Sequence, residues 1–406
     1  MVTIVRIPKV FTSFFRPLKQ TFSSRAWPHF WGLVMAIAAC SEHSLRTLNR
    51  RLRDHTHRTN DGEFLWRSAW DESAVLQTIA LDTLKRLHHK GEPLYFVIDD
   101  TQVLKRAKKM DGVGRLYHAA TGTYGDGHTI LKVCLLYRGV TIPWGSCVYV
   151  KKDLAPTLQL PFIKLSALAA QAIRDANLPV ANVTVLFDSW YLCPCVVQAV
   201  RARGWHFISV AKANRAVRVG RQSHLIKTYA PNVLRRSGRP MRIVGRSSTQ
   251  RYRVAERIGS LKRVGDVKVV FSRRRGESKT LAIVTDDLKR SARTVIAHYA
   301  YRWSIELLIK DEKQQLGLGA YRYRRYRAVV RHLHLVDAAY ACLTHLGLTR
   351  QRAQGDPPND MMLRLPSIRQ LKHDLRQELW REAMEDVVTC SRERPVIKRI
   401  QRLLAA

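Results

Sequence analysis

Acidic residues are scarce in this chain. Its 406 residues include 32 Asp+Glu against 70 Lys+Arg, a formal net charge of +38 at pH 7. An excess on that scale implies a polyanionic partner, with nucleic acid far ahead of a membrane surface. The first acidic residue is Glu42, so the opening stretch is wholly basic. It reads as a DNA-contacting arm, with an organelle transit peptide as the alternative. Long apolar runs are missing too: the longest, Phe30 to Cys40, stops at Ser41-Glu42-His43, far short of a membrane span. Cysteine is limited to 7 residues without a framework of spacings, which argues for a reducing compartment. Cys193-Pro194-Cys195 lacks zinc-ligand spacing and reads as buried thiols. Internal repeats and low-complexity tracts are absent. What remains is globular in composition, 46% hydrophobic and 25% charged, with length for two or three domains.

Taken in order, residues 27–53 read as two helices broken at Ser41-Glu42-His43, either a helix-turn-helix with a basic second helix or a plain helical hairpin. Asp71 is placed to cap a helix over Glu72–Lys90. The continuous apolar run Leu94–Ile98 predicts a central strand that ends in Asp99-Asp100-Thr101. A basic stretch with Lys105, Arg106, Lys108 and Lys109 follows. His128–Tyr137 and Val140–Val150 read as a hairpin, 158–176 as a helix, and Val183–Phe187 as a second buried strand ending at Asp188. A helix over Pro194–Arg203 leads into a strand at Trp205–Val210. Residues 215–285 are arginine-rich and punctuated by Gly and Pro, with short strands expected at Tyr252–Glu256, Val267–Phe271 and Leu281–Thr285. An apolar helix at Ala328–Gly347, a linker at Gly355–Pro366 and basic helices near 367–387 and 394–404 complete the chain.

The stretch Tyr299–Lys313 carries the most chemistry. No Pro or Gly lies between Ser291 and Gln315, so it reads as one long helix. At about 100° per residue, Tyr299, Arg302, Glu306, Lys310 and Lys313 share one side, and Ile296, Ile305, Leu307, Leu308 and Leu316 fill the rest. A narrow polar stripe on such a helix is partly buried, and a carboxylate there is paired or binds metal. The bland alternative is a stripe that faces solvent.

Tyr-x2-Arg-x3-Glu-x6-Lys, with Trp303 following the Arg, resembles the signature of bacterial insertion-sequence transposases with a DDE catalytic triad. The resemblance implies that Glu306 is the third metal-binding carboxylate and that two strand-end aspartates complete the set. Asp188 is one. Alternation across a strand leaves Asp99 and Asp100 undecided; the resemblance favours Asp100, directly before Thr101, with Asp99 as a turn cap. Asp286-Asp287 is a rival pair that reads as the cap of the helix near Ser291.

The fold so implied is α/β: a ribonuclease-H-like core over 93–214 and 286–350, split by a β-rich insertion at 215–285. A helical DNA-binding region (1–92) would precede it and a basic helical tail (351–406) would follow. Two Mg²⁺ ions, with Mn²⁺ as a substitute, are the implied cofactors. Double-stranded DNA, as transposon ends and target, is the implied partner, met by a homodimer in the bacterial cytoplasm at the nucleoid and not at a membrane. Tyr299, Arg302, Trp303, Lys310 and Lys313 are expected at the DNA phosphates, with Lys105, Arg106, Lys108 and Lys109. The Tyr/Arg run 321–327 is expected to stack and pair with nucleic acid. The activity expected is cleavage at terminal inverted repeats followed by strand transfer. The alternatives are a nuclease of the same fold without strand transfer, or a non-catalytic DNA-binding derivative. Some relatives hold a flipped base with a Trp in the insertion, and 215–285 contains none.

Overall fold

The computed structural model describes residues 3–52, 56–88, 91–106, 109–118, 121–244, 249–355 and 362–390. The N-terminal region is helical: α1 (Thr12–Phe15), α2 (Ala26–Ala39), α3 (Leu45–Asn49), α4 (Arg58–Trp66) and α5 (Glu72–Leu87). The basic opening stretch is not a free arm. Phe11, Phe14, Phe15 and Leu18 are buried in the core, and Arg6 pairs with Glu382 and Glu385. Its aromatic content explains the difference, since burying a Phe or Leu side chain gains about 1.5–3 kcal/mol. The expected second basic helix shrinks to the five-residue α3, while α2 is buried around nearly its whole circumference. Asp71 caps α5 as expected, its Oδ1 accepting from Ser73 N and Ala74 N at 2.9 Å.

Twelve strands form one sheet: β1 (Leu94–Leu104), β2 (Gly114–His118), β3 (Thr123–Tyr137), β4 (Val140–Tyr149), β5 (Val183–Leu186), β6 (His206–Val210), β7 (Ala216–Val219), β8 (Gln222–Leu225), β9 (Arg239–Val244), β10 (Thr249–Leu261), β11 (Gly265–Arg274) and β12 (Leu281–Thr285). The core order is β4-β3-β1-β5-β6. Strands β3 and β4 are antiparallel neighbours, β3 runs antiparallel to β1, and β5 and β6 run parallel to β1. Between β4 and β5 lies α6 (Leu165–Arg174), and between β5 and β6 lies α7 (Pro194–Ala202). The expected strand-helix order is present, with β2 an addition that pairs with the start of β3. Gly127 is needed there: a Cβ would sit 2.4 Å from the Val103 carbonyl oxygen.

Residues 215–285 continue the sheet rather than sit apart from it. β12 pairs antiparallel with β6, and β11 and β10 extend outward from it. One helix, α8 (Ile226–Ser237), packs within this stretch, so it is not purely β.

The expected single helix over Ser291–Gln315 is two: α9 (Ala292–Ala300) and α10 (Trp303–Gln315). Between them the hydrogen bonds contract to an i→i−3 pattern, with Arg302 N to Tyr299 O, Ser304 N to Tyr301 O and Ile305 N to Arg302 O at 3.0–3.2 Å. No Pro or Gly marks this tight turn. Gly317, at φ +70°, follows the end of α10, with the His43 ring packed against it. α11 (Tyr326–Ala353) runs through the middle of the molecule, buried from Ala328 to Leu348 apart from Val330. Its fully buried Arg331 donates to the Phe64, Leu65 and Trp70 carbonyls and pairs with Glu72. α12 (Ile368–Cys390) packs on α11 and α2. The helix expected near 394–404 lies outside the described residues.

The two sheet faces bury different sets. Tyr95 and Val97 of β1 join the core that contains α9, α10 and α11 side chains. Phe96 and Ile98 join the opposite core, with α6 and α7.

Candidate active site

β1 is longer than its apolar run. It continues through Asp99 and Asp100 to Leu104 because β3 pairs with it along that whole length. On the other side, pairing with β5 covers only Leu94–Val97. The two aspartates therefore lie where β1 outruns its parallel neighbour, and Asp188 lies just beyond the end of that neighbour. A notch at the carboxyl end of parallel strands is the usual place for a site in an α/β sheet.

Acidic groups converge there. Arg302 donates to Asp99 Oδ2 at 2.9 Å and also to Glu306 Oε1, one turn along α10. Asp99, expected as a turn cap, is instead a strand residue in an ion pair, although its Oδ1 does accept from Asp100 N. Asp100 Oδ1 accepts from the hydroxyl of fully buried Tyr191 at 2.8 Å. Asp188 Oδ1 accepts from Trp190 N at 2.8 Å and Tyr191 N at 3.4 Å.

The electrostatics follow from burial and crowding. Burial pushes the Asp99 carboxyl up to about 6; Arg302 opposes this, while the Asp188 and Asp100 charges add to it. Asp100 is also raised by burial; the Tyr191 hydrogen bond opposes that shift and the Asp188 charge adds to it. Burial alone would lower Arg302, but Tyr299, Asp99 and Glu306 hold it above its ordinary value.

The remaining residues of the stripe divide. The Tyr299 ring lies 5.9 Å from the Arg302 guanidinium. Lys313 donates to the Gln102 carbonyl at 2.9 Å, which places its exposed side chain along β1. Lys310 is exposed. Trp303 is 58% exposed, as is Trp190 beside Asp188. The basic stretch after β1 is less uniform than expected. Lys105 is held by the Gly319 and Tyr321 carbonyls and lies 3.3 Å from the Tyr321 ring centroid. Burial lowers it to about 8, with Arg322 adding to the shift. Arg106 and Lys109 are exposed, and Lys108 lies outside the described residues. In the run 321–327 the arginines face solvent while Tyr321 is buried, bonded to His128 at 2.8 Å. Its rings are therefore packing groups and not an open stacking surface. The acidic pair after β12 does not cap α9, a role taken by Ser291. Asp286 bonds Phe207 N and pairs with Arg201, and Asp287 pairs with Arg290.

Several chemically important residues were not singled out from sequence. Tyr191 gives no sign there, since a Tyr after a turn is commonplace. Lys132 and Asp337 do: each is a charge inside an otherwise apolar run, whereas Glu312 is hidden among the charges Lys310, Asp311 and Lys313. The structure brings them together, fully buried, with Ser146.

A β4-β3-β1-β5-β6 sheet with carboxylates on β1, just past β5 and on a following helix has the order of a ribonuclease-H-like core. Residues 166–342 match the family model of the transposase DDE domain. The matched span includes both Asp188 and Glu306. No curated protein matches the chain. Among the described residues no helix is long and apolar enough to cross a membrane.

Proposed function

We propose that the protein is an insertion-sequence transposase that binds terminal inverted repeats in double-stranded DNA, cuts them, and joins the ends to target DNA. The observation that supports this best is a local reversal of charge. In a chain of net charge +38, Asp99 and Glu306 share the single guanidinium of Arg302, and the Asp188 and Asp100 charges act on Asp99. Mutual repulsion of that kind is relieved by a hard divalent cation. Asp188, Glu306 and a β1 aspartate fit Mg²⁺ or Mn²⁺ as a set of hard oxygen donors. Among the described residues no group of three such side chains is already gathered for a metal ion, because Arg302 holds Glu306. Two bound ions would supply activation of water or a 3′-hydroxyl and stabilisation of the departing oxygen.

The protein's own part is to hold and to release. Arg302 fits a phosphate as well as it fits two carboxylates. A DNA phosphate competing for it would free Glu306 toward the aspartates. Lys313 and Lys310 add positive charge on the same side of α10, and Trp303 offers an exposed ring to an unpaired base.

The test uses a plasmid carrying the gene with its native flanking DNA. Asp188→Ala and Glu306→Ala should each abolish Mg²⁺-dependent cleavage and joining while leaving DNA binding intact. Joined products would separate a transposase from a nuclease of the same fold. Full cleavage by Glu306→Ala would overturn the proposal.

A further inference from the structure

We infer that the β1 carboxylate working with Asp188 and Glu306 is Asp99, and that Asp100 is a structural acceptor for Tyr191. The inference rests on the carboxylate site just proposed and assigns its first member.

The argument is one of parity. Side chains alternate across a strand, so residues two apart share a face. Val97 and Leu186 are register partners on β1 and β5, and both belong to the core that contains α10. Two residues beyond Val97 is Asp99; two beyond Leu186 is Asp188. Ile98 and Phe187 belong to the opposite core, and two residues beyond Ile98 is Asp100. Parity therefore places Asp99 on the face that α10 covers and Asp100 on the other, while Asp188, just beyond the end of β5, is close enough for its charge to act on both. The contacts agree. Asp99 reaches α10 through Arg302, which in turn holds Glu306. Asp100 is bonded to Tyr191, and Tyr191 belongs to the opposite core with Phe187 and Leu192. A ligand set must converge on one point, and only Asp99 starts on the side where Glu306 stands.

Two measurements decide it. In the first, the full-length chain is titrated with Mn²⁺ alone, free Mn²⁺ being read by electron paramagnetic resonance. Asp99→Asn should weaken binding more than about tenfold, at least the loss typical of outer-shell partners, while Asp100→Asn leaves it near wild type. Weakened binding in Asp100→Asn would overturn the assignment, as would wild-type binding in Asp99→Asn. Asp188→Asn and Glu306→Gln run in parallel: if neither lowers Mn²⁺ affinity, the carboxylate site itself fails, an outcome distinct from failure of the Asp99 assignment alone. The second measurement covers the case in which Asp99→Asn does not fold. Asp99→Cys should lose plasmid nicking in Mg²⁺ and regain it in Mn²⁺, because a thiolate suits the softer ion. Asp100→Cys should show no such dependence on the metal. A metal switch at Asp100 and not at Asp99 would overturn the inference.

Discussion

α10 carries two charge clusters that differ in kind. Glu306 and Glu312 are six residues apart, which turns them about 120° from one another around the helix. Glu306 is 29% exposed and shares Arg302 with Asp99. Glu312 is 0% exposed and meets Lys132, itself 0% exposed, whose Nζ also bonds Asp337 and Ser146. The sealed cluster balances its charge. Burial alone would lower the Lys132 ammonium, but Asp337 and Glu312 hold it above its ordinary value. Burial raises the Glu312 carboxyl well up, and the Lys132 charge only partly opposes that. Asp337, in spite of burial, is held down by Lys132 and by a hydrogen bond with Glu312. If Glu312 keeps its proton, one cation, one carboxylate and one carboxylic acid sum to zero. The open cluster has no such balance: Asp99 and Glu306 share one arginine, and the Asp188 and Asp100 charges act on Asp99. A buried charge must be neutralised where it lies. A half-open cluster left acidic within a basic protein is one that a mobile cation can complete. On the proposed function, the sealed cluster is scaffold and the open one is the site.

If that contrast is right, the interior and not the site should govern stability in acid, and this is the largest effect expected. His43, His332 and His345 are buried between the N-terminal region, α10 and α11, and each is lowered from 6.5 to about 4 by burial. Nearby cations add to this: Lys372 at His43, Lys105 at His332, and Arg86 and Arg352 at His345, where Asp82 pulls the other way. Each ring is bonded to a backbone carbonyl, of Ile37, Gly317 and Val10 respectively. The native state keeps these rings neutral, so between pH 6.5 and 4 the unfolded chain binds more protons and stability falls as pH falls. By pH 5 the sum is on the order of several kcal/mol. Urea midpoints at pH 7 and pH 5 should show that loss; equal midpoints would mean the histidines are not sealed.

Next in size is Lys132→Met. It leaves the ionised Asp337 in the interior without a cation, a change that typically costs about 3–5 kcal/mol. The urea midpoint should drop accordingly. Arg302→Met, in the open cluster, should leave stability nearly unchanged while lowering plasmid cleavage, because water already reaches its partners. Equal destabilisation by the two substitutions would erase the distinction between the clusters.

Much of this layout was legible in sequence, for physical reasons. Central strands buried on both faces read as continuous apolar runs, so β1 and β5 and the acidic residues after them stand out. Asp71 announces its helix by capping chemistry, whereas the cap of α9 is Ser291 and not the acidic pair Asp286-Asp287 expected there. What was not legible depends on partners distant in the chain. The length of β1 is set by β3, and that moves Asp99 from a turn into a strand. Whether Asp99 or Asp100 faces α10 depends on which core Val97 enters, and periodicity alone does not show that. The turn between α9 and α10 has no Pro or Gly to mark it. The aromatic N-terminal stretch reads as basic by charge count, yet buried apolar side chains such as Phe11, Phe14, Phe15 and Leu18 decide where it goes.

The smallest effect is the most discriminating. Within the sealed cluster, Glu312 and Asp337 both touch Lys132 and both are fully buried, so a simple count of ion pairs makes them equivalent. Charge balance does not. If Glu312 carries the proton, Glu312→Gln removes no charge and keeps both a donor and an acceptor, and it should shift stability by less than about 1 kcal/mol. Asp337→Asn removes the ionised partner, and the cluster then stays neutral only if Glu312 gives up its proton. That exchange puts the charge on the carboxylate burial disfavours more, and its cost should exceed that of Glu312→Gln at neutral pH. The two urea midpoints, measured together at pH 7, are enough. Equal losses, or a larger loss in Glu312→Gln, would place the negative charge on α10, and the sealed side would then resemble the open one.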